Sequence, residues 1–329
     1  MSISKRENML RLYRQEGPLF LPLGEDIQAI RAMGQGLLCW VEGRPGQVDE
    51  LDWFGQNWKF EEHIRAYNPD ATNYIVKDVT KWREYMTIPD LDAIDWDAIF
   101  ERDNITVDRE NKLIVLRDPV GIWEQAFSSI EVTELMTGLL VEPEAMYDFF
   151  GAMADHKIKM HNIYIDRYKP DVLAFHDDYG HGHGLFMSPS TWRELIKPHL
   201  QRIIDNAHSK GLMYEHHCCG YMVPLVEEIA EMGAASWNSV HHCNDPIKCK
   251  EMFGDKIAFA GGTMDSWTMD APSTTEEQIR EHVRYMTSKM LPGNIYVSCG
   301  FSSNPDRAPI FADELLKSGQ QYYPEMRPV

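Results

Sequence analysis

The chain has 329 residues, 43% of them hydrophobic, enough to bury a full core in one large domain. Its 51 acidic against 32 basic residues give a formal charge of −19. Such a surface argues against nonspecific nucleic-acid binding, which needs cations to displace counterions. No apolar run is long enough to span a membrane, and the charged start "MSISKRENMLRLYRQEG" is not a signal peptide. The expectation is a cytoplasmic protein without nucleic-acid or membrane partners.

In chain order, "LFLPLG" (19–24) and "LLCWVEG" (37–43) are the first candidate strands. "ITVDRENKLIVL" (105–116) reads as a β-hairpin around the polar "DREN" turn, inserted in the main fold. "EPEAMYDFFGAMADHKIKMHNIYIDRY" has the spacing of an amphipathic helix of about seven turns.

The second half is more regular. "DVLAFHDD" (171–178) is a short apolar run ending in polar residues, followed by "SPSTWRELIKPHLQRIIDNAHSKG" with a Ser-Pro start and a terminal glycine. The same unit recurs as "LMYEHHCC" before "MVPLVEEIAEMG" and as "AASWNSV" before "DPIKCKEMFG". It returns as "KIAFAGG" before a helix near 275–290 and as "NIYVSCG" before "RAPIFADELLKSG". Five strand–helix units in series imply parallel strands joined by crossover helices. Polar residues collect at each strand's C-terminal end, where a TIM barrel builds its active site. The expected fold is α/β: a single (β/α)8 TIM barrel over residues 1–329, with an N-terminal extension and the hairpin insertion. A doubly wound open sheet is the alternative, but no G-x-G-x-x-G follows a strand.

Six cysteines (39, 218, 219, 243, 249 and 299) occur without an export signal, so metal ligation or nucleophilic chemistry is favoured over disulfides. In "YEHHCCG", alternate side chains of a strand share a face, which pairs His217 with Cys219 and His216 with Cys218. Either pair supplies two zinc ligands, and Cys299 in "VSCG" is the best third candidate. His241, His242 and Cys243 form a weaker cluster. The loop "FHDDYGHGHG" adds Asp177, Asp178, Tyr179, His181 and His183. Its paired carboxylates suit acid–base work or substrate positioning, or else cap the following helix.

Four segments together resemble the uroporphyrinogen decarboxylase superfamily: "DDYGHGHGLFMSPSTWRELIKPHLQRIIDNAHSKGL", "HHCCGYMVPLVEEIAEMGAASWNSV", "FGDKIAFAGGTMD" and "SCGFSSNP". The resemblance is strongest to its zinc-dependent, corrinoid-linked methyltransferase branch. In that branch an H-x-C-G motif and a later cysteine bind zinc, which implies His217, Cys219 and Cys299 as ligands. The chain departs from the pattern in having Ser298-Cys299-Gly300 where a Gly-Cys step is usual. The resemblance implies Zn2+ and methylcobalamin or another corrinoid carried on a partner corrinoid protein. The methyl would move to or from a small molecule, either an aromatic methyl ether or a thiol. Asp178 and Tyr179 are then candidate catalytic residues, with His181, His183 and Trp237 on the substrate side. The alternative is a tetrapyrrole decarboxylase without metal, whose arginine-rich N-terminal segment is here reduced to Arg31.

Overall fold

The computed structural model describes residues 3–32, 50–62, 66–263, 269, 271–297 and 306–328. Its strands are β1 (Ile27–Arg31), β2 (Glu50–Leu51), β3 (Asn57–Glu61), β4 (Ala66–Pro69), β5 (Leu113–Asp118) and β6 (Val172–His176), then β7 (Gly180–His181), β8 (Gly184–Leu185), β9 (Met213–His217), β10 (Ala234–Val240), β11 (Ala258–Gly261) and β12 (Ile295–Tyr296). Seven of them form one sheet in the order β1-β5-β6-β9-β10-β11-β12. Every neighbouring pair in it is parallel. Past β12, Val297 forms a one-residue parallel bridge with Leu23, so the chain leading into β1 covers that edge. The result is a curled α/β sheet flanked by helices, like a TIM barrel, though among the described residues no continuous ladder closes it.

The sheet has two buried faces, which explains why β6 reads as an unbroken apolar run. Residues of one parity, including Leu116, Leu173, Phe175, Tyr214, Cys218, Trp237 and Phe259, pack outward into the main core beneath the helices. Residues of the other parity, Leu113, Val115, Val172, Ala174, Ala258, Ala260 and Tyr296, face inward. Met9, Leu10, Leu12 and Tyr13 of the first helix (Lys5–Tyr13) fill that inner space. The N-terminal extension is therefore a plug. On the outer side Asp118 ends β5 in a fully buried cluster with Lys157 and His161, 3.1 and 2.8 Å away.

The long expected helix is found as Pro143–Tyr168, 26 residues opened by a proline that needs no N–H partner. "SPSTWRELIKPHLQRIIDNAHSKG" divides into Pro189–Leu195 and Lys197–Ser209, because Pro198 cannot continue the first helix. The side chains of Ser188, Asp245 and Thr275 cap their helices. No helix among the described residues is long and apolar enough to cross a membrane.

The hairpin expected at 105–116 is not formed. Asp108 does accept from Asn111 N–H in the turn. The arm before it, however, bonds to the side chain of Gln28 through Thr106 and Asp108, while Ile105 and Val107 lean on the outer core. The arm after it is β5, a parallel strand between β1 and β6. The antiparallel insertion is instead β2-β3-β4. The first main strand is β1 rather than 19–24, and the expectation for 37–43 lies outside the described residues.

Candidate metal centre

The register of β6 and β9 pairs His176 with His217 at the C-terminal end of the sheet, with Asn238 beside His217 on β10. His176 and His217 stack at 3.6 Å between ring centroids and 7° between planes. Glu215 and His217 belong to the inward parity of β9, while His216 and Cys218 turn outward and are fully buried. His216 lies against the rings of Tyr179 and Tyr214. Cys218 accepts from the Tyr179 N–H. The phase that the sequence left open is thereby set by packing: the outward His-Cys pair belongs to the core.

Two glycines let the loop after β6 reach the loop after β9. Gly220 has φ +71°, and a Cβ there would lie 2.5 Å from the Gly180 carbonyl oxygen. A Cβ on Gly180 would in turn lie 2.0 Å from the Tyr221 carbonyl oxygen. With both backbones in contact, the Asp178 carboxylate accepts the Cys219 N–H at 2.6 Å. His217 Nε2 lies 3.2 Å from Cys219 Sγ and 4.0 Å from the Asp178 carboxylate. Among the described residues, Asp178, His217 and Cys219 form the one group whose candidate ligand atoms all lie within 4.8 Å of one another.

Adjacent aspartates have separate tasks. Asp177 is fully buried and accepts the N–H groups of Trp123 and Glu124 at 2.9 and 3.0 Å, together with the Tyr179 hydroxyl at 2.9 Å. It caps the helix Ile122–Ser129 from another part of the chain, not the helix that follows it. Burial raises its carboxyl to about 7 against these hydrogen bonds. Asp178 turns the other way, toward Cys219, and burial moves it upward as well.

The centre's electrostatics favour a bound cation. Burial holds His217 neutral, its pKa lowered to about 3. Burial, then the charges of Asp178 and Glu124, raise the Cys219 thiol well above its ordinary range. Glu124 is pushed upward by burial and then by Asp178 and Asp177. A divalent cation would relieve each of these repulsions at once. One nitrogen, one sulfur and one carboxylate oxygen are a donor set that zinc accepts. The side chains of His217 and Asp178 are 12% and 21% exposed, so the centre can be reached from outside.

The other expected site residues are dispersed. Tyr179 and Trp237 are fully buried in the outer core, Trp237 against Phe259. His181 and His183 are exposed at the mouth, with His181 beside Phe186 at 5.3 Å. Cys299 lies outside the described residues. Two members were missed from the sequence. Glu124 looks like an ordinary capping glutamate three residues after Gly121, and it does accept the Gly121 N–H. Asn238 interrupts the apolar "ASWNSV", and a polar residue within a buried strand was its available signal.

A curled parallel sheet, plugged at one end and carrying nitrogen, sulfur and oxygen donors at the other, defines a barrel-type scaffold with a candidate metal centre. The chain belongs to the uroporphyrinogen decarboxylase (URO-D) family, which it matches over residues 50–308. No protein among those with curated descriptions matches it. A solved structure of a methyltransferase from Methanosarcina mazei is similar at TM-score 0.65 and 15% identity, covering 98% of this chain and 100% of that one. A dihydropteroate synthase from Anaplasma phagocytophilum with bound 6-hydroxymethylpterin-monophosphate aligns over 53% of this chain and 68% of its own. Its TM-score is 0.34 and its identity 15%.

Proposed function

We propose that this chain is a zinc-dependent methyltransferase that moves a methyl group between a small substrate and a corrinoid held by a partner protein. The observation that carries the reading is the convergence of His217 Nε2, Cys219 Sγ and the Asp178 carboxylate within 4.8 Å at the ends of adjacent strands. The shared architecture of the Methanosarcina mazei methyltransferase supports it at the level of fold.

His217 and Cys219 would hold the metal, with Cys299 as the third ligand and Asp178 as the residue placed to occupy or vacate a fourth position. Bound zinc would supply Lewis acidity, which keeps a substrate thiol as thiolate or stabilises a departing phenolate. The chain's own groups do the rest. Asn238 accepts from His217 and orients its ring. Cys219 gives up its proton when a cation binds. Asp178, held by the Cys219 N–H, fixes the height of the loop over the site. His181 and His183 stand at the entrance for substrate contact, while Tyr179 acts only through Asp177.

A second reading, decarboxylation of a tetrapyrrole without metal, is favoured by one observation. Arg31 and Arg117 are register partners on β1 and β5, and a buried Arg117 Nε lacks a hydrogen-bond partner. The carboxylates of Asp178 and Glu124 near the mouth oppose it, because a polyanionic substrate would meet them.

The test uses free methylcobalamin as a surrogate for the corrinoid protein. With zinc, spectral loss of the carbon–cobalt bond in the presence of a small thiol is expected. Alternatively, methylation of cob(I)alamin by an aryl methyl ether is expected. Either activity should disappear in Cys219→Ser. Absence of both reactions, with coproporphyrinogen formed from uroporphyrinogen in metal-free buffer, would replace this reading with the second.

A further inference from the structure

We propose that Asn238 is a positioning residue for the metal centre: fixed in one amide orientation by Glu215 and Tyr296, it commits His217 to the Nδ1–H tautomer. This rests on the zinc reading above and assigns the groups that prepare His217 for it. The Asn238 amide nitrogen donates to Glu215 Oε1 and to the Tyr296 hydroxyl, both at 2.8 Å. Its oxygen therefore faces His217 Nδ1, 3.0 Å away. A flipped amide would set oxygen against the Glu215 carboxylate and lose both donations. An amide oxygen only accepts, so Nδ1 carries the proton and Nε2 keeps its lone pair toward Cys219 Sγ at 3.2 Å.

The lock is anchored deep in the fold. Tyr296 accepts from Asn238 and spends its own proton on Glu215, 3.1 Å away. Tyr13 of the N-terminal plug donates to the same carboxylate. Glu215 is buried, with both oxygens engaged, so neither it nor the amide has an alternative partner at hand. A hydrogen-bonded chain thus runs from the first helix through Glu215 and Asn238 to the imidazole at the rim. Outer partners of this kind set ligand orientation in metal sites, and losing one lowers metal affinity about 10–100-fold.

The experiment is long-range 15N–1H correlation on the metal-free, 15N-histidine-labelled protein at pH 7.5, with His217 assigned by its absence in His217→Gln. A protonated Nδ1 and bare Nε2 are expected. Asn238→Leu should move His217 toward the Nε2–H form and weaken zinc binding about 10–100-fold in chelator competition. If Asn238→Leu does not fold, Glu215→Gln, which frees the amide to flip, is expected to shift the tautomer in the same direction. An Nε2–H tautomer in the parent, or an unchanged tautomer and zinc affinity in folded Asn238→Leu, overturns the proposal. A parent with Nδ1–H that binds no zinc upholds the lock and removes the zinc reading instead.

Discussion

Asp178 receives the backbone N–H of Cys219 at 2.6 Å, which ties the loop after β6 to the loop after β9 directly above His217. Its carboxylate is the one acidic group close enough to share a cation with both His217 and Cys219 among the described residues. Asp178→Asn keeps an acceptor for that N–H and removes the charge. The expected outcome is an unchanged fold by circular dichroism and zinc affinity reduced at least about tenfold, the scale of lost support around a metal. Equal affinity in the variant would remove Asp178 from the centre.

Asp177 should behave oppositely, as a structural residue. Asp177→Ala strips the cap from Ile122–Ser129, which costs about 1–2 kcal/mol. It also leaves the buried Tyr179 hydroxyl without its acceptor, at about 1–3 kcal/mol. Urea unfolding is expected to show a loss of about 2–5 kcal/mol. Asp177→Asn, retaining an oxygen, should lose clearly less. A stability loss for Asp177→Ala that is no greater than that for Asp177→Asn would mean that the cap is not what this carboxylate contributes.

Cation binding must displace protons, because metals take thiolates and burial keeps Cys219 protonated. Zinc titration calorimetry in buffers of different ionisation enthalpy is expected to report about one proton released for each cysteine that ligates, hence about two with Cys299. Cys219→Ser, which is expected to lose zinc, should show neither binding heat nor zinc-linked proton release. Proton release that is zero in the parent would contradict thiolate ligation.

His156, on the long helix beside the ring of Phe54, is held neutral by burial with its pKa lowered to about 3. A free histidine titrates near about 6.5, so the unfolded chain binds the extra proton throughout the interval between these values. The stability from the neutral form is therefore complete above about pH 6.5 and is lost as the pH falls toward about 3. His156→Leu should gain on the parent by up to about 1.4 kcal/mol per pH unit as the pH is lowered through that window. A constant difference between pH 7.5 and 5 would show that His156 does not titrate on unfolding.

The second half of the fold was legible because each strand there is a short apolar run closed by polar residues and followed by a capped helix. The first half concealed itself for physical reasons. β1, "IQAIR", buries only Ile30 well and has exposed Ala29 and Arg31, so it lacks the apolar run of a two-faced strand. The turn at Asp108–Asn111 was read correctly as a turn, but local chemistry could not say whether its two arms pair. For the centre, strand alternation brought His217 and Cys219 to one face. The separation of Asp177 from Asp178, and the burial of Tyr179 and Trp237 in the outer core, depend on contacts far away in sequence. Asn238 enters the inner network where the pairing of β10 with β11 shifts register between Asn238 and Val240, an irregularity no periodicity foretells.

The most direct measurement is metal content by mass spectrometry of the protein purified without chelator, alongside Cys219→Ser and Cys299→Ser. One zinc per chain in the parent, absent from both folded variants, is expected. A metal-free parent that also fails to take up added zinc, or full zinc retention by Cys219→Ser, would contradict the centre described here.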